Sequence, residues 1–358
     1  MTAGHAARAR RRLTLAMSLT LMTLVVGCAT SGGSSPTTRA TPTGPTGSAA
    51  ATATPTATAI ASVGPAATPF PLTAFPEAAT DALPAGVAKR LQAVLDGAVG
   101  DETRVGIAAA VIVGGEGIWS GLAGNDLAGK LVTDQTRWNT GSIGKTVVSA
   151  EIQRLVERGE LALDTPASDV IDPGRRVNTN GATVGDLLRM RSGISSGQHP
   201  GTVWEYSNGD YVILGHVIEG AEHHALGDVL TDDILDVPGV AGLKFPAGGN
   251  VSNAAGPLET DALSLARWGY ALFGGSLLEP PSLARMVAFD ENTYGMGVFD
   301  FSADFGRPAA GHGGQDGSWS ATLVAQPEQH TVIVVLMNQP DFFRTHGEAV
   351  DLARAVGD

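Results

Sequence analysis

Apolar residues recur at helical spacing between Pro84 and Val99, at Val87, Leu91, Val94, Leu95 and Ala98, and Pro84 suits the first turn. Two short apolar runs follow, Arg104 to Val113 and Gly117 to Leu122. The intervening Gly114-Gly115-Glu116-Gly117 predicts a β-hairpin. After Asn139-Thr140-Gly141-Ser142 the period is helical again. Val147, Val148, Ile152, Leu155 and Val156 form one stripe over Ile143 to Arg158, and Gly159 ends it. From Leu161 to about Phe289 the pattern stays helical but is broken by glycine and proline, with the clearest segments at Val184–Met190, Asp210–Ala221 and Glu259–Leu272. Strand patterns return at Tyr294–Phe301, Ser318–Gln326 and His330–Asn338, and a closing helix is expected from Gly347 to Val356. Strands at both ends around a helical middle predict an α/β (α+β) chain. One sheet is built from both chain ends and flanked by helices, with a mainly helical lobe inserted. The cleft between sheet and lobe is the natural place for a ligand.

The first residues follow another pattern. Arg8, Arg10, Arg11 and Arg12 precede an apolar run from Leu13 to Val26, shorter than the ~20 residues of a membrane-spanning helix. A basic start and a short apolar core read as an export signal. The run ends at Val25-Val26-Gly27-Cys28, and Cys28 is the sole cysteine. This resembles the bacterial lipoprotein signal, so a membrane lipid is the expected partner of Cys28, at the extracytoplasmic face of the cell membrane. From Ser31 to Phe70, 36 of 40 residues are Ala, Thr, Ser, Gly or Pro, which cannot bury enough apolar surface to offset the entropy of ordering. The expected division is a signal over 1–27, a tether over 28–75 and one globular domain over 80–358. The net charge of −13 leaves no basic stripe and argues against nucleic acid as a partner.

Three short segments carry chemistry. Ser142 and Lys145 share one face at the start of a strong helix, where free backbone amides favour negative charge. A serine hydroxyl needs a base to become a nucleophile, and a lysine kept neutral by burial can serve. Ser142 equally suits a helix cap. The chain has only four lysines, Lys89, Lys130, Lys145 and Lys244, so finding one at this spot adds weight to the catalytic reading. Tyr206 and Asn208 lie in Thr202-Val203-Trp204-Glu205-Tyr206-Ser207-Asn208. A phenol can relay a proton and an amide can orient both lysine and substrate, although a packed loop tyrosine beside Trp204 has the same appearance. Gly311-His312-Gly313-Gly314-Gln315 lets backbone amides approach a ligand, and His312 offers a donor to a carboxylate or leaving group; a glycine-rich hairpin corner is the plainer reading. His199, His223, His224 and His330 lack acidic or cysteine neighbours at ligand spacing, and neither metal nor other cofactor is expected.

As an ordered set these segments resemble the penicillin-recognising serine hydrolases, in the branch of class C beta-lactamases, D-alanyl-D-alanine carboxypeptidases and related esterases. Ser-x-x-Lys is matched by Ser142-Ile143-Gly144-Lys145, Tyr-x-Asn by Tyr206-Ser207-Asn208, and the Lys/His-x-Gly strand by His312-Gly313-Gly314. Trp138-Asn139-Thr140-Gly141, Arg191-Ser192-Gly193-Ile194 and Tyr294-Gly295-Met296-Gly297 supply matching context, and the resemblance spans about Pro84 to Val356. It implies a beta-lactamase/transpeptidase-like fold with an antiparallel sheet. It also implies Ser142 as nucleophile, Lys145 as its base, Tyr206 as proton relay, and Asn208 as holder of the substrate amide and of Lys145. The backbone amides of Ser142 and Gln315, beside Gly314, would hold the oxyanion. The implied substrate is a small peptide, amide or ester, foremost a D-Ala-D-Ala cell-wall peptide. Small-ester hydrolysis, linear-amide hydrolysis, weak lactam turnover and a non-catalytic wall-binding role are the alternatives. His312 stands where the lactamases carry lysine, which removes a fixed charge for a carboxylate. Met190 replaces the histidine frequent in Leu-Leu-x-His-x-Ser-Gly.

Overall fold

The computed structural model describes residues 70–78, 80–236 and 239–357; the expected export signal, Cys28 and the Ala/Thr/Pro-rich segment through residue 69 lie outside the described residues. The strands are β1 (Gly106–Val113), β2 (Gly117–Gly124), β3 (Trp138–Asn139), β4 (Glu259–Thr260), β5 (Phe299–Asp300), β6 (Ala310–Asp316), β7 (Trp319–Gln326) and β8 (Thr331–Met337). The longer helices are α1 (Ala85–Val99), α2 (Gly144–Glu157), α3 (Asn208–Glu222), α4 (Ala262–Phe273), α5 (Pro280–Met286) and α6 (Phe342–Gly357), with shorter turns among them at Ala167–Val170, Val184–Leu188, Leu226–Leu230 and Ser302–Phe305.

Strand β1 is buried at every position because both of its faces are covered. Ile107, Ala109 and Val111 join Leu91 and Leu95 of α1 and Ala349 and Leu352 of α6. Ala108, Ala110 and Ile112 face the opposite layer, with Leu265 and Trp268 of α4. This period-two division explains why β1 and β8 read as unbroken apolar runs. The antiparallel sheet runs β2-β1-β8-β7-β6-β5, so the first hairpin of the domain lies against its last strand. Ala110 opposes Val334, Leu323 opposes Val334 from the other side, and His312 opposes Leu323. Register thus carries the core pattern across the sheet as far as His312. The helical lobe packs on the α4 side, where α2 is buried along most of its length. Trp268 Nε1 donates to Thr146 Oγ1 at 2.9 Å and ties α4 to α2.

The sheet from both chain ends, the flanking helices and the helical lobe agree with the expected architecture. Four local differences have physical reasons. Tyr294–Phe301 is not one strand: only Phe299–Asp300 pairs with β6. A Cβ on Gly295 would lie 2.0 Å from the Met286 carbonyl, and Gly297 turns at φ +78 against Ser149. Conversely, β6 is a full strand although its glycines carry little strand signal; β7 on one side and β5 on the other supply its ladder. Glu259–Thr260 pairs with Trp138–Asn139, and helix α4 begins after Asp261, whose side chain accepts from Ser264 N. Finally, α6 starts at Phe342, five residues before the expected Gly347. Phe70 and Phe75, at the end of the segment read as tether, pack edge-on against Phe289 and Tyr270.

Candidate active site

Ser142 sits in a 3₁₀ turn, Gly141–Ile143, that leads directly into α2. Gly141 adopts φ +51 to start this turn, and a Cβ there would lie 2.6 Å from the amide nitrogen of Gln315. Helical spacing carries Lys145 under Ser142, and Lys145 is fully buried. Its Nζ lies 2.9 Å from Ser142 Oγ, 2.7 Å from Asn208 Oδ1 and 2.7 Å from the Ala255 carbonyl. The two amide oxygens can only accept. A neutral amine therefore donates its two N–H bonds to them and turns its lone pair toward the Ser142 hydroxyl. Burial favours that neutral form and brings Lys145 down to about 7. The rings of Tyr206 and Tyr211, with centroids 5.1 and 5.5 Å from Nζ, act in the opposite sense by attracting the ammonium.

Asn208 opens helix α3, and Ser207 caps it by accepting from Asp210 N at 3.0 Å. The buried Asp210 carboxylate receives Ser207 Oγ at 2.8 Å and Ser192 Oγ at 2.7 Å, so the Arg191-Ser192-Gly193 segment anchors the same helix start. Met190 supports it from below. Its carbonyl accepts from Glu205 N and its sulfur from Ser207 N, which holds the two residues flanking Tyr206. Tyr206 is 39% exposed as a whole residue and its ring stacks on Phe299, while its hydroxyl end is enclosed and hydrogen-bonds Ser142. Burial of that end pushes the phenol up to about 12, against the opposing pull of the Ser142 hydrogen bond. At neutral pH the phenol therefore keeps its proton.

The remaining predicted residues arrive on β6. Gly314 is required by contact: a Cβ there would stand 1.9 Å from the Thr140 carbonyl and 2.9 Å from Ser142 N. The strand carrying Gln315 consequently lies directly against the Ser142 turn. His312 is only 1% exposed and packs among Tyr206, Tyr294 and Phe299. Burial first, then the nearby Lys145 charge, pulls its imidazole down to about 3. Its Nδ1 hydrogen-bonds the Gly313 carbonyl, which fixes the proton on that nitrogen. Nε2 is then a buried acceptor with no partner among the described residues. From the sequence, His312 is expected to donate to a carboxylate or leaving group; a neutral imidazole in this tautomer instead presents an acceptor at Nε2.

Several parts of the site have no motif in the sequence. Ala255 supplies a carbonyl to Lys145 from the segment before a cis Gly256–Pro257 bond, and Gly256 at φ +122 lies against Gly141. Behind the lysine, Tyr211 Oη meets Ser149 Oγ, the Leu188 carbonyl and Tyr294 Oη at 3.1, 3.2 and 3.3 Å. Nothing in the spacing of Ala255-Gly256-Pro257 or of Tyr294 points to a lysine more than a hundred residues distant in the chain.

The family model described as Beta-lactamase matches residues 91–357. The chain belongs to the beta-lactamase family. Among related proteins, esterase EstB of Burkholderia gladioli is 35% identical over 117 residues, covering 31% of this chain and 30% of EstB. Penicillin-binding protein 4 of Amycolatopsis lactamdurans is 30% identical over 136 residues, 30% of this chain and 35% of that protein. These matches span about a third of each relative's own length. In fold, the chain is similar to the D-amino acid amidase of Ochrobactrum anthropi SV3, with a TM-score of 0.65 and 19% identity over 76% of this chain and 98% of the other.

In this beta-lactamase-family chain the structure brings Ser142, Lys145, Tyr206 and Asn208 into one cluster, with His312 beside it and Gly314 against the Ser142 turn. Away from the cluster, Glu151, Glu222 and Asp233 place carboxylate oxygens within 4.8 Å of one another, and Arg158 pairs with all three. The guanidinium supplies the positive charge there.

Proposed function

We propose that this family member is a serine hydrolase that forms an acyl-enzyme on Ser142, outside the cytoplasm. The observation that carries the reading is the buried Lys145 amine, with Nζ 2.9 Å from Ser142 Oγ and 2.7 Å from each of the Asn208 and Ala255 oxygens; in its neutral form the two oxygens take its N–H bonds and its lone pair is left for the Ser142 proton. As Oγ bonds to the acyl carbon, its proton passes to Lys145 and the carbonyl oxygen becomes an oxyanion at the amides of Ser142 and Gln315. The oxyanion then re-forms the carbonyl as the bond from carbon to the leaving group breaks; Tyr206, still protonated, gives its proton to that group, and Lys145 returns one to the phenolate. The order of affinities, about 12 for the phenol and about 7 for the amine, makes that return downhill. Water then reverses the sequence and releases the acid.

The family resemblance supports a D-Ala-D-Ala carboxypeptidase-like substrate. A second reading is favoured by His312. Its neutral ring and acceptor Nε2 supply no positive charge for a carboxylate beside the scissile bond, so an uncharged ester or amide suits this pocket better. The names of EstB and the D-amino acid amidase support the same class.

A neutral aryl ester, a D-amino acid amide and a peptide ending in D-Ala-D-Ala, assayed with the same enzyme, test these readings. Ester hydrolysis should rise as pH passes 7, because the base form of Lys145 accumulates above that value, and the free-carboxylate peptide should be slowest. A flat ester profile from pH 5 to 9 would remove Lys145 as the base. Faster turnover of the peptide than of the ester would restore the carboxypeptidase reading.

Lipid anchoring at Cys28 is part of the same proposal, supported by the basic start, the apolar run and the sole cysteine at its end. Cys28→Ser should move the protein from the detergent phase to the aqueous phase while ester hydrolysis by the released protein is retained. Unchanged partitioning would overturn the anchor. Among the described residues no helix is long and apolar enough to cross a membrane.

A further inference from the structure

Two backbone amides can hold an oxyanion only if the turn carrying one and the strand carrying the other keep a fixed separation. In this chain they belong to segments more than 170 residues apart, the Ser142 turn and the end of β6. One side chain bridges them. Asn139 Oδ1 accepts from Gly141 N at 2.8 Å, the amide next to Ser142, and Asn139 Nδ2 donates to Asp316 Oδ2 at 2.7 Å, on the residue next to Gln315. The same short segment ties down the lysine's partner. Asn139 pairs with Glu259 in the β3–β4 ladder, and Thr140 exchanges hydrogen bonds with Leu258, three residues beyond Ala255.

We propose that Asn139, bonded to Asp316, is a positioning residue that sets the spacing of the two oxyanion-holding amides. The inference rests on the acyl-enzyme reading above. Asn139 makes no hydrogen bond to Ser142 Oγ or Lys145 Nζ, so its effect runs through the backbone it holds. Both halves of the bridge are chemically specific. The Gly141 amide needs an acceptor, and the Asp316 carboxylate needs a donor. An asparagine side chain carries one of each on a single planar group. The bond to Asp316 is charge-assisted and therefore stronger than a neutral pair.

This polarity gives a reciprocal test. Asn139→Asp keeps the acceptor for Gly141 N but sets two carboxylates against each other. Asp316→Asn leaves an amide oxygen that still accepts from Asn139. The double variant Asn139→Asp with Asp316→Asn restores a charge-assisted bond with donor and acceptor exchanged. Acylation by a neutral aryl ester is followed for all three, with kcat, KM and thermal midpoint recorded.

Asn139→Asp should lose about 10- to 100-fold in kcat with KM changed less than about threefold, since the oxyanion exists in the transition state and not in the bound ester. Asp316→Asn should stay within about fivefold of wild type, and the double variant should recover most of what Asn139→Asp loses, the signature of direct coupling. If Asn139→Asp proves unable to fold, Asn139→Ala, which removes both bonds without adding charge, takes its place and should show the same loss in kcat. Wild-type kcat in Asn139→Asp, or in Asn139→Ala if that variant is needed, overturns the proposal. So does a double variant no faster than Asn139→Asp, or a kcat loss that merely follows a fall in thermal midpoint. Ser142→Ala, run alongside, separates the two ideas: if it acylates, the acyl-enzyme reading itself fails, whereas an inert Ser142→Ala beside a fully active Asn139→Asp removes only the positioning role.

Discussion

Ser142→Ala should abolish acylation, with ester turnover falling by at least about 10⁴-fold while the fold is kept. The residue is only partly buried and its hydroxyl makes no bond that holds the lobe together; its partners are Lys145 and Tyr206. Removing it deletes the atom that must bond to the acyl carbon. Lys145→Met should cost about 10³- to 10⁴-fold, because the hydroxyl remains but its proton has no acceptor. Tyr206 cannot substitute as base, since its phenol is held near 12 and stays protonated. The methionine also leaves the Asn208 amide and the Ala255 carbonyl without their donor, so a modest loss of stability is expected beside the loss of activity. Since the two residues act on one proton, the double variant should be scarcely slower than the slower single one. Intact mass after exposure to an activated ester gives the readout: the acyl mass appears on wild type, not on Ser142→Ala, and far more slowly on Lys145→Met. Rapid labelling of Ser142→Ala would move the nucleophile elsewhere.

Gly314→Ala should also be severely damaging, although it adds only a single methyl group. The new Cβ would lie 1.9 Å from the Thr140 carbonyl oxygen and 2.9 Å from Ser142 N, both backbone atoms that cannot rotate away. Strand β6 must therefore lift from the Ser142 turn, carrying the Gln315 amide with it. A loss of about 10²- to 10³-fold in kcat is expected, the usual scale for removing one oxyanion donor. Gly347→Ala is the matched control, because a Cβ there meets nothing within 4 Å on the face of α6. It should leave kcat unchanged and add about 0.5–1 kcal/mol of helix stability. Wild-type kcat in Gly314→Ala would show that β6 and the turn do not act together.

Much of the frame was legible because local physics repeats along the chain. The stripe Val147, Val148, Ile152, Leu155 and Val156 announces a buried helix face; the first four are buried and Val156, in the last turn, is partly so. The apolar runs at both ends announce strands that need covering on two faces, and β1 and β8 are so covered. Where the signal was weak, contact with distant segments decided the outcome. The glycines of β6 have no strand preference of their own, yet β7 and β5 draw them into the sheet. Tyr294–Phe301 has a good strand pattern, yet Gly295 and Gly297 bend it against Met286 and Ser149.

For the candidate site, the chain by itself determined the list of reactive groups and the closeness of one pair. Ser142 and Lys145 lie three apart on a helix start, and 3.6 residues per turn suffices to bring them together. Tertiary structure alone decided the protonation states, because those depend on what surrounds each group. Burial lowers Lys145 and His312, and enclosure of its hydroxyl end raises Tyr206. It also decided which carbonyl completes the lysine's partners, since Ala255 is 110 residues away with nothing but geometry to mark it. The same holds for Asn139 and Asp316, which touch across 177 residues. Periodicity encodes which face of an element is dry; it does not encode which two faces meet, and electrostatics is set where they meet.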